Sequence, residues 1–142
     1  MSSVKRVLMV EDNPGHARLI QASLEGFVGL TIEWVRDGEA ALHRLNDSSQ
    51  PLPDLVLLDL KLPRIGGHEV LRQLKQTERL RRIPTVVLST SHQETDVAGA
   101  YDAHASAYLV KPTDFSHLQA LLHDTVSFWC ARNRMPSGQS AD

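Results

Sequence analysis

The chain has 142 residues, 42% of them hydrophobic and 23% charged, with a formal charge of −2. That is ordinary for one globular domain with a core of its own, and it excludes a protein that neutralises many nucleic-acid phosphates. A lone Cys130 excludes an internal disulfide, and an acid pair arrives too early for a signal peptide or membrane span, which predicts a soluble cytoplasmic domain.

Short runs of branched residues alternate with amphipathic stretches. "RVLMV" at 6–10 reads as a strand buried on both faces, and it ends at Glu11 and Asp12. "HARLIQASLEGF" follows, with Ala17, Leu19, Ile20, Leu24 and Phe27 near one helical face. "LTIEWV" at 30–35 is a second strand, which Glu33 interrupts and marks as an edge. Asp37 is placed to N-cap a helix over "GEAALHRLND". "DLVLL" at 54–58 is a third strand, stopping at Asp59. The next helix, "GHEVLRQLKQT", turns Val70, Leu71 and Leu74 inward. "SSQPLPD" and "RLRRIP" have the composition of surface loops, so the arginines at 79, 81 and 82 are read as solvated. "TVVLS" at 85–89 is a fourth strand, closing on Ser89 and Thr90. "ETDVAGAYDAHA" is a weaker helix with Gly99 inside it. "AYLV" at 107–110 is a fifth strand that leads to Lys111. The last helix, "FSHLQALLHDTVSFW", is expected to run on to about Arg132. The segment "RNRMPSGQSAD" has little to bury, so one domain over 1–130 and a disordered tail over 131–142 are expected.

Strands alternating with helices predict an α/β fold, a doubly wound five-stranded parallel sheet. In such sheets ligands bind beyond the carboxyl ends of the strands. That rule gathers Glu11 and Asp12, Asp59, Ser89 and Thr90, and Lys111 at one edge. Converging acids repel unless a cation is present, and oxygen ligands with open positions suit Mg²⁺. A carboxylate left free can act as nucleophile toward a phosphoryl group, whose charge a metal, a lysine and a hydroxyl can neutralise. Asp59 is the expected acceptor because it ends a central strand alone. Glu11 and Asp12 are the expected metal cradle, with the Lys61 carbonyl as a further ligand. The proline and glycines of "LKLPRIGG" are expected to turn the chain away and leave Asp59 open.

"MVEDNP", "LLDLKLPRIGG", "VVLSTS" and "AYLVKP" resemble the four signature segments of response-regulator receiver domains, in order and spacing, over nearly the whole chain. The resemblance implies a flavodoxin-like fold with strand order 2-1-3-4-5. It implies that Asp59 takes a phosphoryl group from the phosphohistidine of a sensor histidine kinase. It implies Mg²⁺ on Glu11, Asp12, Asp59 and the Lys61 carbonyl, with Ser89 as switch hydroxyl, Tyr108 as switch aromatic and Lys111 as the conserved lysine. The Lys111–Pro112 bond is often cis in that family. "LKQTERLRRIPTVVLSTS" and the closing "SFW" resemble stand-alone receivers that serve bacterial and cyanobacterial phytochromes, so a phytochrome is the expected kinase partner. Output is then expected through a partner, a relay, or a homodimer on the fourth-helix to fifth-helix face.

Departures from the family pattern are Gly66, where many receivers carry an acid, and Thr90, which replaces a small alanine and is expected to tighten access. Lys61 and Ser91 lie where the family tunes phosphoryl hydrolysis. An aspartate-nucleophile phosphatase would need a second acid two residues after Asp59, where Lys61 stands. A pseudo-receiver that only binds partners would be expected to lose the acceptor, acid pair or lysine, all of which are kept. The seven histidines show no metal spacing, although His16 lies near the acid pair. Phe128 and Trp129 are read either as packing at the helix end or as a dimer contact.

Overall fold

The computed structural model describes residues 5–136. Its strands are β1 (Lys5–Val10), β2 (Leu30–Val35), β3 (Leu55–Leu58), β4 (Thr85–Ser89) and β5 (Ala107–Val110). Its helices are α1 (Pro14–Ser23), α2 (Gly38–Asn46), α3 (Gly67–Gln76), α4 (Glu94–Asp102) and α5 (Phe115–Val126), followed by a π-helical turn over Ser127–Arg132. All strand pairs are parallel, in the expected order β2-β1-β3-β4-β5.

The period of two along each strand divides the core between the faces of the sheet. Val7 and Met9 of β1, Leu55 and Leu57 of β3, and Val86 and Leu88 of β4 pack with Ala17 and Ile20 of α1 and Leu118 and Leu122 of α5. Leu8, Val10, Val56, Leu58 and Val87 point the other way, onto Leu45 of α2, Val70, Leu71 and Leu74 of α3, and Ala100 of α4. Burial on both faces is why these strands read as continuous apolar runs. β2 lies at the edge, and its Glu33 meets Arg44 of α2, with Nε 2.8 Å from Oε2. Asp37 caps α2 as expected, accepting from the Ala40 amide at 2.8 Å.

Some local expectations are corrected. α1 ends at Ser23, and Leu19 is 43% exposed rather than on the buried face, whereas Leu24 beyond the helix is buried. "RLRRIP" is not wholly a surface loop, because Leu80 and Ile83 are fully buried anchors. Lys75 ties this segment down by donating to Arg81 O at 3.0 Å and Ile83 O at 2.7 Å, and Arg79 donates to Leu45 O at 2.8 Å. The apolar pair lies within one turn, Ile83 N donating to Leu80 O, so three arginines around it masked a packing motif. Lys111–Pro112 is trans, since the described residues contain no cis peptide bond; the two isomers of an X–Pro bond differ by only about 0.5–1 kcal/mol.

α4 is weak, as its sequence suggested, burying only Ala100. Gly99 has a reason to be there: a Cβ would lie 3.1 Å from His68 Nε2 of α3, which itself contacts Asp96 O at 3.0 Å. The last helix does reach Arg132, although its final turn widens, with Asn133 N donating to Phe128 O. That turn packs Trp129 against the core, buries Cys130 and leaves Phe128 half exposed. Ala131 and Arg132 therefore belong to the helix rather than to a tail. The remainder of the expected disordered segment from 137 onward lies outside the described residues.

Candidate functional site

β3, buried at all four positions, delivers Asp59 to the carboxyl edge of the sheet, where its amide donates to Val10 O at 3.1 Å. The chain then doubles back until Gly67 N donates to Leu60 O at 3.0 Å. A Cβ on Gly67 would lie 2.5 Å from Asp59 O and 2.6 Å from Leu60 Cα, so only glycine lets α3 begin against the end of β3. The chain does turn away over the expected proline and glycines, although neither glycine supplies the left-handed residue of the turn. The residue with positive φ is Arg64, at 61°, and Gly66 is extended at −72°. Arg64 is held there by ion pairs to Asp37 and Glu39, each at 3.0 Å.

Glu11, Asp59 and Lys111 meet at this edge, from the ends of β1, β3 and β5. Glu11 is 2% exposed and Asp59 9%. Lys111 Nζ lies 2.7 Å from Glu11 Oε1 and 3.6 Å from Asp59 Oδ2. The second Glu11 oxygen accepts from the Asn13 amide at 3.1 Å, and the Trp34 indole N–H donates to the Glu11 carbonyl at 2.8 Å. Burial raises the Glu11 carboxyl above its ordinary range, and the charge of Asp59 adds to this, while the hydrogen bond from Lys111 opposes it.

Asp12 is exposed, and so is Lys61, whose amide donates to Asp59 Oδ1 at 3.3 Å. The expected convergence of three acids is thus met by two, with an ammonium between them and the third at the rim. Consecutive residues leaving a strand face opposite sides, which sends Glu11 inward and Asp12 out. Among the described residues no three His, Cys, Asp or Glu side chains form a ready metal cluster. The donor chemistry still fits a hard divalent cation, because two buried carboxylates share one ammonium and keep an excess of negative charge at the sheet edge.

Ser89, Thr90 and Tyr108 gather around the loop between β4 and α4. Ser89 is fully buried, and its Oγ accepts from the Ser91 amide at 3.2 Å. Tyr108 donates through its hydroxyl to Ser91 O at 2.8 Å, and Ser91 Oγ donates to Asp96 of α4. Thr90 is exposed at the strand end. None of the three is hydrogen-bonded to Asp59. Trp34 and Asp96 were not foreseen from the sequence; an indole on an edge strand and an acid in a helix's first turn carry no motif.

A family model for the response regulator receiver domain matches residues 7–123. The chain is 48% identical over 135 residues to the Probable methanogenesis regulatory protein FilR2 of Methanothrix harundinacea, covering 92% of this chain and 86% of that one. It is 38% identical over 138 residues to the response regulator Rcp1 of Synechocystis, covering 94% of each; a structure of Rcp1 in an Mn²⁺-bound form superposes with TM-score 0.86 over 93% of this chain and 99% of that one. The phosphorylated cyanobacterial phytochrome response regulator RcpA superposes with TM-score 0.89 at 38% identity, covering 94% of this chain and 99% of that one. Among the described residues no helix is long and apolar enough to cross a membrane. With four strand-end segments meeting at one sheet edge and a family model spanning most of the sequence, this chain belongs to the response-regulator receiver family of two-component signalling systems.

Proposed function

We propose that this receiver is a phosphorylation-dependent switch whose acceptor is Asp59. The observation that carries the reading is a nearly buried carboxylate at the end of a central strand, 3.6 Å from an ammonium that also pairs with a second buried acid. An Asp59 carboxylate oxygen attacks the phosphorus of a kinase phosphohistidine. The O–P bond forms, the P–N bond breaks, and the imidazole nitrogen keeps the electron pair. Mg²⁺ held by Glu11, Asp12, Asp59 and the Lys61 carbonyl would neutralise charge on the phosphoryl oxygens. Lys111 would supply a second positive charge, and the Ser89 hydroxyl, with Thr90 at the rim, can donate to the new group. If Ser89 turned toward the phosphoryl group it would release the Ser91 amide, and Ser91 also anchors Tyr108 and Asp96. That loop is the element whose two arrangements would carry the signal to α4.

The donor is a sensor histidine kinase, and a bacterial phytochrome is the reading supported by the likeness to RcpA. A homodimer on the face from α4 to α5 is supported by Tyr101, Val110 and Phe115, exposed at 50%, 42% and 42%. The test of the central claim is intact-mass analysis with acetyl phosphate and Mg²⁺. Wild type is expected to gain one phosphoryl group and Asp59→Asn none; equal labelling of the two would end this reading.

Trp34 gives an independent check on the metal. Its indole holds the carbonyl of Glu11, so Mg²⁺ binding is expected to change its fluorescence. The change should survive Trp129→Phe and vanish in Trp34→Phe. Loss of this supporting hydrogen bond is expected to weaken Mg²⁺ roughly tenfold, measured by calorimetry; unchanged affinity would remove Trp34 from the site.

A further inference from the structure

We infer that His16 is a positioning residue for Lys111, an inference that rests on the acceptor role of Asp59. His16 sits in the first turn of α1, its amide fixed by Asn13 Oδ1 at 3.1 Å. Its Nδ1 lies 3.2 Å from Lys111 Nζ and 3.9 Å from Glu11 Oε2. An ammonium has three protons and no acceptor capacity, so Nδ1 presents its lone pair and the ring carries its proton on Nε2. Lys111 then divides itself among three partners. Glu11 Oε1 takes the strongest bond at 2.7 Å, His16 the next, and Asp59 Oδ2 at 3.6 Å is beyond hydrogen-bond range.

Glu11 and His16 together therefore hold the ammonium where Asp59 Oδ2 stays beyond hydrogen-bond range, although a third N–H remains to be used. In the resting protein this keeps the Asp59 oxygen free to act as a nucleophile. Once a phosphoryl group is attached, the ammonium must shift toward it to bring the remaining N–H into range, and that shift stretches the bond to His16. The imidazole thus favours uptake and disfavours retention, and it sets how long the switch stays on. Its place near the acid pair is legible in the sequence, but its contact with Lys111 is not, because that contact joins positions 95 apart in the chain.

The test pairs His16→Leu, which removes the acceptor, with His16→Asn, which puts a carbonyl oxygen near the place of Nδ1. After the small phosphodonor is removed, the phosphoryl group on His16→Leu is expected to persist roughly three- to tenfold longer, the range one hydrogen bond accounts for. His16→Asn is expected to stay close to wild type. Two variants that both match wild type, or that shift equally, overturn the proposal. A second readout needs no phosphorylation: long-range ¹H–¹⁵N NMR should show the Nε2–H tautomer of His16 in wild type and a mixture in Lys111→Met. A tautomer indifferent to Lys111 overturns the contact even if Asp59 proves to be the acceptor. A protein that takes no phosphoryl group while the tautomer responds overturns the acceptor reading and, with it, the regulatory role assigned to His16.

Discussion

Gly67→Ala is expected to cost roughly 3 kcal/mol or more of stability, at the upper end for overpacking a close-packed site. The new Cβ would fall 2.5 Å from Asp59 O and 2.6 Å from Leu60 Cα, and both obstacles are backbone. Neither can step aside as a flexible side chain could. Relief requires α3 to move away from β3, which breaks the bond from Gly67 N to Leu60 O and loosens Val70 and Leu71 in the core. Gly66→Ala is the control, because its Cβ would meet only Leu60 O, at 3.9 Å, on ordinary extended backbone. Urea unfolding should show a much lower midpoint for Gly67→Ala with an unchanged slope, and a Gly66→Ala midpoint within error of wild type. Equal behaviour of the two would show that the close approach at Gly67 is not what ties β3 to α3.

The contrast between these glycines marks where the sequence could be read and where it could not. β1, β3 and β4, buried on both faces, announce themselves as apolar runs, and with the half-buried β5 they made the acids, hydroxyls and lysine at the strand ends legible, whereas the sheet order came from the family resemblance. What "LPRIGG" does in detail was not. A rule that assigns positive φ to glycine points at Gly66 or Gly67, yet Arg64 takes it, held by Asp37 and Glu39 from a different part of the chain. Leu80 and Ile83 were hidden for a related reason, since the composition of "RLRRIP" is polar while the two residues that decide its path are not. Contacts that depend on tertiary approach have no local signature. Trp34 reaches a backbone carbonyl 23 positions away, and Lys111 reaches Glu11 across 100. The division of the acid pair into one buried and one exposed carboxylate was foreseeable only as a necessity of adjacent residues, without saying which would turn inward.

Lys111→Met is expected to destabilise the protein by about 3–5 kcal/mol near neutral pH, the usual cost of removing one partner from a buried ion pair. The loss should depend on pH with a definite sign. Burial already raises the Glu11 carboxyl, and the hydrogen bond and charge of Lys111 hold it down against Asp59. An acid whose folded pKa lies above its unfolded value binds its proton more readily in the native state. The contribution of Glu11 to stability is therefore fullest below the ordinary value of 4.5 and falls as pH rises through the raised folded value. Removing Lys111 lifts that upper limit further, so the variant should trail wild type slightly at about pH 5 and severely at about pH 8. Mg²⁺ is expected to act in the opposite direction, because a cation that binds only the folded protein adds stability by mass action, about 2.7 kcal/mol at a hundredfold excess over Kd. It should narrow the gap at the higher pH and do little at the lower, where protonated carboxyls are poor ligands. Urea titrations at the two pH values, with and without Mg²⁺, separate these terms. A gap that is the same at both would mean that Glu11 is not the group left without its counter-charge.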